Sequence, residues 1–313
     1  MTPLAVAAAV IVGPDGRVLI SRRHDHLHQG GLWEFPGGKQ EPGEDARQAL
    51  WRELHEELGV EVLQARPLIR VLHDYGDRRV LLDVWRVEAF SGTPRGQQGQ
   101  PLAWVTPDEL DRYDFPAANR PILRAARLPD RYLITPEPGP DQDAFLGQLA
   151  ATLARGIRLL QLRSKSLSPD AYARLAARVV PLAREQGARV LLNGPAELVR
   201  ELGAAGLHLS SAALRTCQER PLPEEYWLCA SCHDGIELGR AVRLGADCAL
   251  LSPVQATASH PGVVPLGWTA FQALTDPCPL PVYALGGLGP VDLETAWQHG
   301  AQGIAAIRGL WDA

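Results

Sequence analysis

From Tyr132 onward the chain repeats one arrangement: a short apolar run, then a longer stretch with helical spacing. Eight apolar runs are read, at residues 132–135, 159–162, 190–192, 206–209, 227–230, 248–251, 282–284 and 303–306. Each is too short for a helix and lacks the apolar/polar alternation of a half-exposed strand, so each reads as a strand covered on both faces. Helical runs fall between them, at 141–154, 169–185, 236–244 and 291–299. Strands that alternate with helices pair in parallel, and eight of them in about 180 residues predict a compact closed (β/α)8 TIM barrel. An open doubly wound sheet is the alternative, because Gly-rich strand ends suit both.

The first part of the chain has a different rhythm. Runs at 6–12 and 17–21 flank Gly13-Pro14-Asp15-Gly16 as a hairpin, a helix is read over 46–58, and further strands at 68–73, 79–89 and 103–106. Thr106-Pro107-Asp108-Glu109 signals a helix start, residues 91–101 are a Gly/Gln/Pro-rich loop, and an Arg-bearing helix is read over 122–127. Leu128-Pro129-Asp130-Arg131 separates the two patterns, which predicts one domain over 1–129 and another over 130–313. A length of 313 residues accommodates two cores.

Composition narrows the classes. With 46% apolar and 21% charged residues, disorder and fibrous repeats are poor readings. A net charge of −5 leaves no basic excess for gripping a nucleic-acid backbone, so direct DNA binding is not expected and nucleic acid enters, if at all, as a nucleotide. No apolar run approaches 18 residues, and the apolar stretch 4–12 has no basic flank, so neither a membrane span nor a signal peptide is expected. The five cysteines, 217, 229, 232, 248 and 278, are odd in number and all in the second half, which points to reduced thiols and a cytoplasmic setting. Cys229-Ala-Ser-Cys232 has redox-like spacing without a matching ligand set, and a buried structural role is expected for it.

The densest chemistry lies between Gly38 and Val60: Gly38, then Glu44, then Arg52-Glu53-Leu54-His55-Glu56-Glu57-Leu58-Gly59-Val60. On a helix, Glu53, Glu56 and Glu57 fall within a wedge of about 100°, while Leu50, Leu54 and Leu58 stack on another face. Three carboxylates so close repel unless a cation compensates them, and hard oxygen ligands suit Mg²⁺ or Mn²⁺. Gly37-Gly38 lets backbone approach a metal or phosphate, and Gly59 closes the helix. The competing reading is a solvated acidic face paired with Arg47 and Arg52.

The spacing G-x5-E-x7-R-E-L-x-E-E-x-G-V resembles the signature of the Nudix hydrolases, which cleave nucleoside diphosphates linked to another group. The resemblance implies an α/β/α sandwich in which Glu53, Glu56 and Glu57, with the Gly38 backbone, bind a divalent metal. Glu44 supports Arg52, which positions the carboxylates, and Glu53 is the candidate base or a further ligand. Ile20-Ser-Arg-Arg23, Trp33-Glu-Phe-Pro-Gly-Gly-Lys39, Asp77-Arg78 and Phe115-Pro-Ala-Ala-Asn119 resemble the MutT branch, which hydrolyses 8-oxo-dGTP to the monophosphate and pyrophosphate. It implies that Asn119 reads the oxidised guanine, Phe35 lines the base pocket, and Arg23, Arg78 and Lys39 hold the nucleotide. An amide suits that task, since it offers both a donor and an acceptor to a purine edge. One departure stands out: Gln98 occupies the position of a further acidic metal ligand.

The predicted barrel carries polar residues at its C-terminal strand ends, where such barrels place their sites: Gln161-Leu-Arg163-Ser-Lys165, Asn193, Ser231-Cys-His233, and Gly286-Gly287. This set would make an anion pocket, and it is similar to the thiamine phosphate synthase and thiazole tautomerase (TenI-like) superfamily. Synthases place one metal-binding Asp directly after the Asn and another after a Gly-x-His-Leu-Gly-Gln-type strand; here Asn193 is followed by Gly194 and Gly206-Leu-His208-Leu209 by Ser210-Ser-Ala-Ala213, both carboxylates are absent, and His260 stands where synthases keep a phosphate-binding Lys. Without those carboxylates synthase activity is not expected, while binding of a thiazole or other phosphate ligand, or proton transfer by His233 or His260, stays open.

The sequence therefore points to a Mg²⁺-dependent Nudix pyrophosphohydrolase fused to a degenerate barrel. Two alternatives remain: hydrolysis of another nucleotide or a thiamine-pathway pyrophosphate, and a non-catalytic phosphate-ligand sensor. Of 31 basic residues, only Lys39 and Lys165 are lysines, one beside each proposed phosphate site.

Overall fold

A computed structural model describes residues 3–26, 29–257 and 262–312 and divides the chain into two compact units, 1–127 and 128–313. In the first unit, β1 (Leu4–Val12), β2 (Val18–Arg22), β3 (Trp33–Glu34), β4 (Gly37–Lys39), α1 (Ala46–Leu58), β5 (Glu61–Asp74), β6 (Arg79–Ser91), β7 (Leu102–Val105) and α2 (Arg120–Arg127) follow in order. The sheet runs β3-β2-β1-β6-β5, with β4 added to β1 and β7 to β2. It is mixed: β1 pairs with β6 in parallel and with β2 and β4 antiparallel.

Alternation along β1 builds both faces. Ala7, Ala9 and Ile11 pack with Leu50, Leu54 and Leu58 of α1, while Ala8 and Val10 join Ile122 and Ala125 of α2 in a second core. The sheet is thus sandwiched between two helices. Asp45 starts α1 with a capping box, its side chain taking the Gln48 N–H at 2.8 Å while Gln48 takes the Asp45 N–H, and Gly59 ends it at φ +68°.

Two sequence-based elements differ. The strand read over 68–73 is the second half of the 14-residue β5, whose start at Glu61 follows Gly59 with scarcely a turn. The helix signalled at Thr106 is a 3-10 turn, Pro107–Arg112.

The second unit comprises β8 (Arg131–Ile134), α3 (Gln142–Ala154), β9 (Leu159–Leu162), α4 (Pro169–Glu185), β10 (Arg189–Leu192), α5 (Ala196–Leu202), β11 (Gly206–Leu209), α6 (Ser211–Thr216), β12 (Trp227–Cys232), α7 (Gly235–Arg243), β13 (Cys248–Leu251), α8 (Gly267–Thr275), β14 (Val282–Leu285), α9 (Leu293–Gln298), β15 (Gly303–Ala306) and α10 (Arg308–Trp311). All eight strands are parallel and close as β10-β11-β12-β13-β14-β15-β8-β9, which excludes the open-sheet alternative. Tyr132, Leu159, Leu191, Cys229, Cys248, Leu250 and Tyr283 fill the barrel, and the intervening strand residues pack outward on the helices. Cys229 and Cys232 are both buried with free thiols. Helices α5, α6 and α10 escape a sequence reading because four to seven residues show too little periodicity, and tertiary packing holds them.

Candidate active site

The first site is built on one face of α1 and the β4 strand before it. Arg52 is its hub. Nε and Nη2 grip the two Glu44 oxygens at 2.8 and 3.0 Å, Nη1 reaches Glu53 at 3.0 Å and Glu56 at 3.3 Å, and Nη2 also donates to the Lys39 carbonyl at 3.0 Å. The fork geometry of a guanidinium is what permits this; an ammonium could not span it. The Arg52 hydrogen bonds hold the Glu44 carboxyl down at about 2.

Glu57 faces the opposite situation. Its carboxylate accepts the Gly37 N–H at 3.3 Å, yet burial, aided by the charges of Glu34 and Glu53, pushes its pKa up to about 7. The glycines hold the strand against this carboxylate face. A Cβ on Gly38 would lie 2.2–2.5 Å from the Glu53 carboxyl atoms, and one on Gly37, at φ +145°, would lie 2.1 Å from the Ala7 carbonyl.

Among the described residues no three His, Cys, Asp or Glu side chains converge as a ready-made cation cage. Glu53 and Glu56 are turned onto Arg52 instead. The donor set nevertheless suits a divalent cation: it is all-oxygen and lies on one helix face, with the Glu57 carboxylate half-buried. Glu53, Glu56, Glu57 and the Gly38 backbone are the groups that could hold it. Gln98 is exposed and its backbone N–H donates to Gln100 Oε1 at 3.0 Å; the surrounding loop closes the end of α1, with Gln97 N and Gln100 Nε2 both donating to the Glu57 carbonyl, at 2.9 and 3.1 Å.

The nucleotide-reading candidates are distributed around this face. Arg23 pairs with Glu34. Phe35 is 3% exposed and stacks on Phe115, with centroids 5.4 Å apart. Arg78 lies in the β5–β6 turn, half-exposed and paired with Asp77 at 3.1 Å. The Lys39 side chain is exposed. Asn119 ends the 3-10 turn Ala117–Asn119; it is 9% exposed, yet its amide has no hydrogen-bond partner among the described residues. Glu34 escaped the sequence reading, although the Trp33-Glu-Phe-Pro segment contained it.

The barrel mouth gathers most of the second set. Gln161 is buried in β9. The Arg163 N–H donates to Thr135 Oγ1 at 3.0 Å, and the Asn193 amide donates to the His208 carbonyl at 2.8 Å. His233 Nδ1 lies 2.8 Å from the Ser252 carbonyl, and its backbone N–H donates to Glu237 at 2.9 Å. The Lys165 side chain is exposed, while its backbone N–H donates to Glu137 at 3.0 Å. Gly286 and Gly287, at φ +110° and +71°, back against the 253–256 segment: a Cβ on either would come within 2.9 Å of it. His260 lies outside the described residues.

Two further residues of this unit were not among the sequence candidates. His208, 1% exposed, shares hydrogen bonds with Tyr132 Oη at 2.8 Å and Ser231 Oγ at 2.9 Å, and burial, with the Arg163 charge, drives its pKa down to about 3. Glu237, also buried, takes Ser211 Oγ at 2.7 Å and Arg215 at 2.8 Å. In the Ser210–Ala213 segment Ser210 caps α6 by accepting the Ala213 N–H, and Gly194 leaves 3.1 Å between a hypothetical Cβ and the Tyr172 ring.

Comparison with known proteins divides along the same line. A profile for the NUDIX domain matches residues 7–125, and one described as thiamine monophosphate synthase matches residues 131–310. The CTP pyrophosphohydrolase of Escherichia coli is 40% identical over 37% of this chain and 87% of its own length. The 8-oxo-dGTP diphosphatase of the same organism is 37% identical over 39% and 95%. A putative thiamine-phosphate synthase 2 from Aquifex aeolicus is 31% identical over 58% and 96%.

Proposed function

The chain belongs to the Nudix hydrolases through its first unit and to the thiamine monophosphate synthase family through its second, and from that premise we propose a divalent-cation-dependent nucleoside triphosphate pyrophosphohydrolase with 8-oxo-dGTP as substrate. Water adds to a phosphorus of the anhydride, a P–O bond breaks, and 8-oxo-dGMP and pyrophosphate leave. In this reading the product removed is a mutagenic precursor, and the role is sanitation of the nucleotide pool.

One observation carries the reading: Arg52 holds Glu44, Glu53 and Glu56 in a single hydrogen-bonded set beside the half-buried Glu57. Glu44 fixes the guanidinium, Arg52 fixes the carboxylates, and Glu53 takes the proton of the attacking water. A Mg²⁺ or Mn²⁺ ion on Glu53, Glu56, Glu57 and the Gly38 backbone would supply charge neutralisation and a more acidic water. Arg23, Lys39 and Arg78 hold the triphosphate nucleotide. Phe35 shapes the base pocket, and the open amide of Asn119 reads the purine edge, because a base that left it unpaired would bind at a cost.

A second reading, hydrolysis of CTP, draws on the similarity to the CTP pyrophosphohydrolase. For the barrel we propose binding of a phosphate ligand, thiazole-bearing or other, around Gln161, Arg163, Lys165, Asn193, His233, Gly286 and Gly287, without synthase activity. The support is that neither Gly194 nor the segment Ser210-Ser-Ala-Ala213 offers a carboxylate for a metal–pyrophosphate.

A hydrolysis screen of the full chain with Mg²⁺ tests all of this. It should cover 8-oxo-dGTP, dGTP, CTP and thiamine-pathway pyrophosphates. The proposal expects the highest kcat/KM for 8-oxo-dGTP. Preference for CTP would replace it with the second reading, and failure on every nucleotide would end it. Condensation of the pyrimidine pyrophosphate with thiazole phosphate at a substantial rate would overturn the barrel assignment.

A further inference from the structure

In the barrel unit, the loop after β9 that carries Arg163 and Lys165 is tied to side chains that follow β8. The two strands pair in parallel, Leu133 with Leu160 and Ile134 with Gln161, and the Thr135 N–H still reaches the Gln161 carbonyl at 3.0 Å. There the main-chain ladder ends. Thr135-Pro136-Glu137-Pro138 has no N–H at its second and fourth positions, and each proline favours extended backbone at the residue before it. Side chains continue the pairing at the same two-residue step. Thr135 Oγ1 accepts the Arg163 N–H at 3.0 Å and donates to the Arg163 carbonyl at 3.3 Å. Glu137 makes the next step: its carboxylate accepts the Lys165 N–H at 3.0 Å, the Ser166 N–H at 2.9 Å, and the hydroxyls of Ser164 and Ser166.

Four donors from three consecutive residues thus converge on one carboxylate. Ser164 Oγ passes the constraint along the chain, since it also accepts the Leu167 N–H at 3.2 Å, and Ser168 then caps α4 by accepting the Ala171 N–H at 3.3 Å. Loops that leave a sheet are ordinarily its adaptable parts. This one is held by a hydrogen bond at every residue from Arg163 to Leu167. A negative charge beside a pocket for an anion works against binding by Coulomb repulsion. What Glu137 contributes is therefore geometry: a carboxylate can accept from all four donors at once.

We propose that Glu137 is a positioning residue for the phosphate ligand of the barrel: through Ser164, Lys165 and Ser166 it fixes the loop from which Arg163 and Lys165 meet the anion. Thr135 sets the same loop at its root. This assignment rests on the barrel-ligand reading given above. A loop ordered in advance has less freedom to lose when the ligand arrives, and that gain outweighs the repulsion from the added charge.

Because Lys39 and Lys165 are the only lysines, the test can be read locally in the full chain. Acetylation by an N-hydroxysuccinimide ester, followed peptide by peptide by mass spectrometry, gives a separate rate for each, and inorganic phosphate is the probe. Glu137→Gln keeps the shape, removes the charge and turns an amide NH₂ toward the donors of the loop. Charge alone would make this variant bind phosphate more tightly. Positioning has the opposite sign: the phosphate concentration that half-protects Lys165 should rise about 10-fold, and hydrogen exchange over residues 163–167 should quicken by a similar factor, with the Lys39 rate unchanged. Ser166→Ala should weaken protection in the wild-type background and add little in the Glu137→Gln background. Protection of Lys165 as strong in Glu137→Gln as in the wild type, or stronger, would overturn the proposal and leave the barrel-ligand reading standing. A wild-type chain in which phosphate does not slow Lys165 acetylation would instead overturn the barrel-ligand reading, and the proposal with it.

Discussion

His208 offers the sharpest quantitative test of the barrel interior. Its imidazole is 1% exposed, bonded on both nitrogens, and held neutral by burial and by Arg163, with a pKa of about 3 in the folded chain. In the unfolded chain the ordinary value is about 6.5. Between those values the unfolded state binds a proton that the folded state refuses. The contribution is therefore complete above pH 6.5 and is lost as pH falls toward 3, at about 1.4 kcal/mol per pH unit for a single group. From pH 7 to pH 4.5 the loss amounts to about 2.5 kcal/mol. His208→Gln cannot titrate, and at neutral pH it should be about 1–3 kcal/mol less stable, through weakened bonds to Tyr132 and Ser231. The gap between wild type and variant should then close by about 2.5 kcal/mol on acidification, because carboxylates such as Glu137, held at about 2, titrate equally in both. Urea unfolding of the full chain at pH 7, 6, 5 and 4.5, followed by hydrogen exchange of β11 and β12 peptides, measures the gap. A gap constant to within about 0.5 kcal/mol would refute the reasoning, since the folded imidazole would then be accepting its proton near the ordinary pKa.

Three further outcomes concern the first unit. Gly38→Ala should displace the Glu53 carboxyl, which a Cβ would approach to 2.2–2.5 Å, and lower kcat about 100-fold while thermal stability stays close to wild type; unaltered kcat would show that the close approach is incidental. Glu53→Gln should fold normally and lose about 10³-fold in turnover, checked by pyrophosphate release, and near-normal turnover would remove Glu53 from the chemistry. Asn119→Ala should reduce kcat/KM for 8-oxo-dGTP about 10-fold more than for dGTP, and equal losses would separate the open amide from base reading.

The carboxylate face of α1 was legible in advance because its geometry is local. Arg52 reaches Glu53, Glu56 and Glu44 within eight residues along the chain, so helical spacing and one preceding loop suffice to bring them together. The barrel was legible for another reason: strands buried on both faces announce themselves as unbroken apolar runs, and the register of eight of them leaves few topologies. What escaped depends on pairing between distant segments. Glu34 meets Arg23 only through the β2–β3 ladder, Gln100 reaches the Glu57 carbonyl across 43 positions, and Tyr132 finds His208 across 76. No periodicity encodes such contacts.

The two lysines show the limit of reading chemistry from residue type. Each lies beside a proposed phosphate site, and a compact ammonium there invites assignment to the phosphate. The contacts the structure gives both residues are main-chain ones: the Lys39 carbonyl accepts from Arg52, and the Lys165 N–H donates to Glu137, while both ammonium groups face solvent. Backbone hydrogen bonding would survive Lys→Arg at either position, so these contacts do not explain why an Arg-rich chain keeps Lys at both. If the side chains have a role, it begins when an anion arrives. Lys39→Arg should then leave stability unchanged and raise KM for the nucleotide by about 3- to 10-fold, the cost of replacing a point charge by a fork at a site built for the former. An unchanged KM would leave coding bias as the sufficient account of Lys39.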